Sequence, residues 1–403
     1  MFDRLSLGGG IEVTLDARDD QWHVTPRHVH GGLCLPGEGA SAQLVRLLTE
    51  GPEVTDRWQV LRLGALAPVG GERPLDVDQT NTSVVVGERY VVKWLRSVGD
   101  RSHPAMAALA QLEAVGFART PSTYAVLTWT SPSGHTLPIA YVTDYLTAAY
   151  DGWTWCVDSV RSLADGSTPV VPAVDLAARL GVLTASLHAA LATPSRVFPR
   201  PVHPAGASRV QRWYDGAFAM LESALSLPDQ DTAAAVGARA DAIGRCFDDV
   251  LGDDAALADS PVQHIHADLH VGQILCWSKG LAIVDFDGNP VVSHDEGMVH
   301  PPARDVAQMV CSLLHVGQVV LKHYPDLDDG PVRAWMSGCR EQFLDAYREA
   351  LRAKGMSNLL DERLLPAFEV EQELRELVYA SRHLPRWAYA PLATFVDMVP
   401  TAG

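Results

Sequence analysis

Residues 264–290, HIHADLHVGQILCWSKGLAIVDFDGNP, place three histidines and an aspartate within seven positions, with two more aspartates shortly after. Two chemistries use such a set. H-x-H-x-D-x-H (His264, His266, Asp268, His270) comes close to a zinc cage for hydrolysis, because paired imidazoles and a carboxylate suit that ion. It has one residue too many before His270, which turns that ring away from the cluster. The second chemistry is phosphoryl transfer. There, hard oxygen ligands hold one or two magnesium ions, and a carboxylate orients the acceptor hydroxyl and takes its proton. H-x-D-x-x-x-x-Q followed by an apolar strand and Asp-Phe supplies both needs and uses more of the residues. Asp268 is the candidate base, Gln273 lies five residues on, and Asp285 opens Asp285-Phe286-Asp287-Gly288. Lys93, far upstream on a strand, can neutralise nucleotide phosphates. No G-x-x-x-x-G-K-[ST] occurs, which argues against a P-loop enzyme.

The elements that must position these groups are legible in outline. QILCW (273–277) and LAIVDF (281–286) read as two short strands joined at Ser278-Lys279-Gly280, with Ile274, Ile283 and Val284 packed beneath. This puts Asp268 in the loop before the first strand and Asp285 near the end of the second. NTSVVVGERYVVKWL (81–95) reads as a hairpin around Gly87-Glu88 that delivers Lys93 at the end of its second strand. IEVTL (11–15), WQVLRLGAL (58–66), STYAVLTWT (122–130) and LPIAYVTDYL (137–146) are also strand-like, while 41–50 and 103–117 have helical spacing. After Asp151 the pattern is helical, with segments at 174–192 and near 208–226, 233–251, 303–321, 331–354 and 361–383. A strand-rich half and a helical half therefore meet near 143–150.

Bulk properties narrow the partners. The 403 residues are 47% hydrophobic and carry a formal net charge of −17, which opposes a nucleic-acid or anionic-membrane surface. The six cysteines are scattered without a C-x-x-C, a pattern of reduced thiols more than of a disulfide framework or a cysteine zinc site. No signal-peptide core and no run of about 18 apolar residues is read, so a cytoplasmic protein without a membrane span is expected.

His266-Ala-Asp268-Leu-His270-Val-Gly-Gln273 with IVDFDGNP (283–290) resembles the aminoglycoside phosphotransferase-like, eukaryotic-like kinase superfamily. The likeness is greatest to its maltokinase and glucosamine kinase branch, where H-G-D-x-H-x-G-Q and D-F-[ED]-G-x-P recur. NTSVVV…VVKW, Thr143-Asp144-Tyr145-Leu146, Asp151-Gly152-Trp153, LHAAL (187–191), ARDVAQM (303–309) and 368–387 look like segments of the same family. The resemblance implies an α+β, bilobal, protein-kinase-like fold. Its parts would be an N-terminal cap at 1–80, a nucleotide-binding subdomain at 81–146 and a mostly helical lobe at 147–403. It implies ATP and Mg2+ as cofactors, Asp268 as catalytic base, Gln273 and Asp285 as magnesium ligands with Asp287 a further metal or sugar contact, Lys93 on phosphate, and backbone groups of Asp144, Tyr145 and Leu146 on adenine. Two departures stand out. Ala267 replaces the usual glycine, which matters only where the loop needs positive φ. The helix expected to carry the acidic partner of Lys93 has one late glutamate, Glu113.

The acceptor is a separate question, because function resides in the site and not in the scaffold. DFDGNP in place of the maltokinase DFEGEP, and Glu373 with Glu376 on one helical face, favour an amino sugar whose ammonium two carboxylates would hold. The alternative for that face is an exposed charged surface laced with Arg375, Arg382 and Arg386. Trp387 and Tyr389 offer a stacking face for a sugar or belong to the core. Asp305 is read as a brace for the catalytic loop and His188 as a satisfied core histidine, while His270 either orients Asp268 or packs. The expected reaction is ATP-dependent phosphorylation of glucosamine at its 6-hydroxyl. Maltose 1-phosphorylation and transfer to an aminoglycoside or another hydroxylated amine are the alternatives in the same class. A zinc hydrolase and a silent kinase-like binding module are those outside it.

Overall fold

A computed structural model describes residues 2–401 apart from 20, 52–54, 56, 76–80, 102 and 289–297. The chain forms two compact units, 1–149 with 277–282, and 150–276 with 283–403.

In the first unit, β1 (Phe2–Gly8), β2 (Ile11–Arg18) and β3 (Gln21–His28) make an antiparallel meander. Helix α1 (Ala40–Glu50) follows, then β4 (Trp58–Arg62), β5 (Glu72–Pro74), β6 (Thr82–Val86), β7 (Tyr90–Trp94) and β8 (Ser97–Gly99). The unit continues with α2 (Pro104–Ala114), β9 (Thr123–Thr130) and β10 (Thr136–Asp144). Strand β8 lies against β3, and the remaining strands form one antiparallel sheet in the order β4-β9-β10-β7-β6-β5. That sheet takes strands from both sides of residue 80. The expected 81–95 hairpin is β6–β7. Alternation along β7 buries Tyr90, Val92 and Trp94 and leaves Val91 and Lys93 half-buried, with Lys93 paired between Ser83 and Tyr141.

The second unit is mostly helical. It begins with α3 (Gly152–Asp165), α4 (Ala173–Leu191), the short β11 (His203–Pro204), α5 (Ala207–Leu225), α6 (Gln230–Gly237), α7 (Ala240–Leu251) and α8 (Asp254–Leu257). It then carries β12 (Pro261–His264), most of β13 (Ile274–Trp277) and β15 (Val299–His300), whereas β14 (Gly280–Ile283) falls mainly in the 277–282 segment of the first unit. Helices α9 (Ala303–His323), α10 (Gly330–Ala353), α11 (Leu365–His383) and α12 (Tyr389–Met398) complete it. The single helix expected over 233–251 is two. Gly237 weakens the helix interior, and Arg239 turns out to donate through Nε to Val399 O at 2.6 Å.

Helix α4 is, by length and composition alone, apolar enough to cross a membrane. Within the unit 61% of its most apolar window is buried, and it lies so close to α10 that a Cβ on Gly181 would sit 2.3 Å from Phe343 O. It is a core helix.

Candidate active site

The loop after β12 is held from behind by one aspartate. Asp305 Oδ2 accepts from His266 N–H and Oδ1 from Ala267 N–H, both at 2.8 Å. Asp305 is fully buried, and its Oδ2 also lies 3.1 Å from His188 Nε2, whose Nδ1 is 2.7 Å from Tyr347 Oη. Burial would raise the Asp305 carboxyl; the His188 hydrogen bond and charge, joined by the His266 amide, outweigh it and hold the group below its ordinary value. Asp305 is thus the brace expected, and His188 a satisfied core histidine. The loop does need positive φ at the departure from the family pattern, since Ala267 sits at φ 65°. An L-residue there carries strain of roughly 1–2 kcal/mol, partly offset by glycine's greater freedom when unfolded. Ala267→Gly is therefore expected to stabilise the protein by about 0.5–1 kcal/mol, read as a higher melting temperature with activity retained; a lower one would place the loop's rigidity above its strain.

Asp268 itself is fixed on two sides. Its N–H donates to His266 Nδ1 at 3.3 Å, which leaves His266 Nε2–H to donate to Val284 O at 3.0 Å, and its Oδ1 accepts from Gln308 Nε2 at 2.9 Å. His270 accepts from Gly272 N–H through Nδ1, and its Nε2 lies 3.9 Å from Asp268 Oδ2 and 3.5 Å from Gln273 Nε2. Gln273 O accepts from Val284 N–H at 2.9 Å, which ties the glutamine to the segment carrying Asp285. Asp285 is exposed at φ 65°, a conformation that aspartate tolerates better than most residues, and Asp287 is half-buried. Asn289 and Pro290 lie outside the described residues. The zinc cage is overturned by these assignments. His264 stacks on Phe198 at 4.4 Å, His266 has both nitrogens engaged, and His270 turns its Nδ1 to the backbone. Among the described residues the four do not bring three ligand atoms within 4.8 Å of one another.

Helix α3 supports the loop from a third direction. Asp151 caps it by accepting from Thr154 N–H at 3.0 Å, and Trp155 Nε1 donates to Ile274 O at 2.9 Å. At Gly152 an added Cβ would lie 1.6 Å from Val271 O. Gly152→Ala must push the helix and the loop apart by more than 1 Å, a displacement of the size that costs of order 10²-fold in rate. We expect kcat to fall by roughly 10- to 100-fold in a folded variant. Unchanged turnover would show that α3 does not set the loop's position.

On the opposite side Glu373 is completely buried and meets His315 Nε2 through Oε2 at 3.0 Å, while its Oε1 has no hydrogen-bond partner. The exposed-face alternative is therefore wrong for Glu373. Glu376 is half-buried and accepts from Gln372 Nε2 at 2.8 Å; Arg375 joins Arg304 on the buried Glu371, while Arg382 and Arg386 are exposed. Trp387 is half-buried, edge-on to Trp153 with centroids 4.8 Å apart, and 6.4 Å from His315. Trp153 in turn lies 6.3 Å from the ring of His270. A continuous run of side chains, Asp268, His270, Trp153, Trp387, His315 and Glu373, therefore links the two groups of expected site residues. The sequence reading did not name Gln308, Ser312, His315 or Trp153 as site residues. The signal for the first three was present as polar residues at 305, 308, 312 and 315, one stripe along the apolar helix α9, with Ser312 Oγ accepting from Val271 N–H at 3.2 Å.

In the first unit Asp144 ends β10 and gives its N–H to Ser122 O at 3.0 Å, while Tyr145 gives its own to Arg89 O at 2.8 Å. Tyr124 Oη donates to Asp144 Oδ1 at 2.7 Å, and Tyr145 Oη accepts from Arg73 Nη2 at 3.0 Å. Leu146 is buried. Glu113 Oε1 accepts from Thr123 N–H at 2.9 Å, so the late glutamate of α2 pins the start of β9.

Comparison with known proteins fits this geometry. No family model matches the chain. Over 407 residues it is 40% identical to a glucosamine kinase of Streptacidiphilus jiangxiensis, spanning 98% of this chain and 90% of that protein. The chain belongs to the glucosamine kinase family. A second glucosamine kinase, from Mycolicibacterium smegmatis, is 35% identical over 393 residues, 96% of each chain. The fold is likewise that of a solved glucosamine kinase in complex with glucosamine, ADP and inorganic phosphate, at a TM-score of 0.85 and 37% identity over 99% of this chain and 94% of the other. Family membership establishes the α+β kinase-like fold expected from the 264–290 strip and makes the chain a phosphotransferase.

Proposed function

We propose that this protein is an ATP-dependent glucosamine kinase that makes glucosamine 6-phosphate. The observation that carries the acceptor is the link from the braced Asp268 to the buried Glu373, lined by Trp153 and Trp387, within a chain 40% identical to a glucosamine kinase. Indole faces suit the apolar side of a sugar ring, and the unpartnered Oε1 of Glu373 with the nearby Glu376 suits an ammonium.

In this reading Asp268 accepts the proton of the 6-hydroxyl as that oxygen attacks in line, and Gln308 holds the carboxylate in place through Oδ1. Magnesium would be held by Gln273, Asp285 and Asp287. The donor set fits a hard ion: two carboxylates and an amide whose Nε2 is turned to His270, leaving Oε1 as ligand. When bound, that ion screens the phosphate charge. Lys93 would contact ATP phosphates. With the amides of Asp144 and Tyr145 already engaged, adenine would pair with the Leu146 backbone and the neighbouring carbonyls. We assign 1–80 as a cap that lends β4 and β5 to the nucleotide subdomain at 81–146, and 147–403 as the acceptor lobe. Six free cysteines support a reducing, cytoplasmic setting.

The test is ADP release with ATP and magnesium over glucosamine, glucose, N-acetylglucosamine, maltose and an aminoglycoside. Turnover confined to glucosamine supports the reading. Turnover with maltose alone keeps the phosphotransferase and removes the amine-reading role of Glu373 and Glu376, and turnover with the aminoglycoside alone keeps an amine reader and overturns glucosamine as the acceptor.

A further inference from the structure

In the first unit, the connection between β3 and α1 gathers three side chains of metal-ligating type. His28 ends β3. The chain then doubles back through Gly31 and Gly32, with His28 N–H donating to Gly32 O at 3.2 Å and Cys34 N–H to Pro26 O at 3.0 Å. This tight return sets Cys34 beside His28. A second turn brings Glu38 to the same place, and its Oε2 accepts from Leu35 N–H at 2.8 Å while lying 3.3 Å from His28 Nε2. One ligand atom from each of His28, Cys34 and Glu38 lies within 4.8 Å of the other two. Cys34 is only 7% exposed, while the His28 and Glu38 side chains are open to solvent at 42% and 45%. The kinase reaction uses none of the three.

We infer that His28, Cys34 and Glu38 form a zinc site with a fourth position open to water. The donor set decides the metal. A sulfur, an imidazole nitrogen and a carboxylate suit zinc, whereas magnesium takes oxygen donors and does not compete for a thiolate. The geometry is close to what is needed. At bond lengths of about 2.0–2.3 Å, tetrahedral ligands stand roughly 3.4–3.7 Å apart, so His28 and Glu38 already have the spacing and Cys34 needs a shift of about 1 Å or less. Burial and the charges of Glu38 and Glu72 keep the Cys34 thiol protonated in the absence of the ion. Binding therefore moves the His28 ring proton to Nδ1, releases the Cys34 thiol proton to solvent and forms the Zn–S, Zn–N and Zn–O bonds. One proton leaves per ion. The bound ion would tie the end of β3 to the start of α1, whose N-terminal amides Glu72 already holds through Gly39 and Ala42 N–H at 2.8 and 2.7 Å.

The experiment uses the full chain, stripped with chelator and titrated with zinc against a competing indicator in excess magnesium, with cobalt as a spectroscopic substitute. One equivalent is expected, with one proton released and a thiolate-to-cobalt charge-transfer band that Cys34→Ser abolishes. His28→Gln and Glu38→Gln, which change solvent-facing side chains and should fold normally, are each expected to weaken binding by about 10- to 100-fold and to leave glucosamine turnover unchanged. Zinc binding equal in wild type and all three variants, or no stoichiometric binding by wild type, overturns the site.

Discussion

Asp268→Asn is expected to lower kcat by about 10²- to 10⁴-fold, the contribution of a positioned general base, while KM for ATP stays within a few-fold. The size of the effect follows from how the group is held. Its backbone N–H rests on His266 Nδ1, its Oδ1 on Gln308 Nε2, and the loop beneath it on both oxygens of Asp305. An asparagine can occupy the same space and keep one of these contacts through its own carbonyl, so the variant loses proton acceptance more than position. Gln308→Ala separates the two contributions. It leaves the carboxylate able to accept a proton but free to rotate, and is expected to cost less, roughly one neutral-to-charged hydrogen bond, or about 10- to 100-fold. If both variants bind ATP and glucosamine normally and Asp268→Asn turns over near the wild-type rate, another group takes the proton.

The strip proposed to carry this chemistry stands out in the sequence because phosphoryl transfer places its ligands within one short stretch of chain. The β6–β7 hairpin, the β13–β14 hairpin and most of the helices after 150 followed from runs whose local preference and burial agree. Legibility ended where one element owes its place to another. Strand β3 holds Pro26 and two histidines, and its pairing with β2 overrides a weak local preference. Helix α3 opens with Gly152, Trp153, Thr154, Trp155 and Cys156, and is set by the Asp151 cap and by the anchoring of Trp155 to Ile274. The burial of Glu373 could not be seen from its spacing with Glu376, because it depends on His315 arriving from α9. The Ala267 departure looked harmless as a substitution and proved to sit at positive φ because Asp305 pulls two successive amides toward itself.

Glu373→Gln should cost glucosamine about 10- to 100-fold in kcat/KM, the worth of a hydrogen bond to a charged group, and leave glucose, which has no amine to be read, nearly unaffected. The substitution keeps the side chain's volume and removes its charge, so a loss confined to the amine cannot be put down to packing. A pH series supplies an independent readout. Burial pushes the Glu373 carboxyl up against the pull of His315, and Glu373 pushes His315 up against its own burial. Each group therefore holds its proton to higher pH in the folded protein than in the unfolded chain. A raised folded value means that each group's stabilisation is complete below its own unfolded value, about 4.3 for glutamate and about 6.5 for histidine, and is lost as pH rises through the folded one. Wild type should lose melting temperature as pH climbs above neutrality, and Glu373→Gln should flatten that slope. If the slopes are equal and the two sugars suffer alike, His315 and Glu373 are structural packing and the ammonium must be read by Glu376 alone. If the slope flattens but glucosamine is unaffected, the pair stabilises the lobe and reads no substrate.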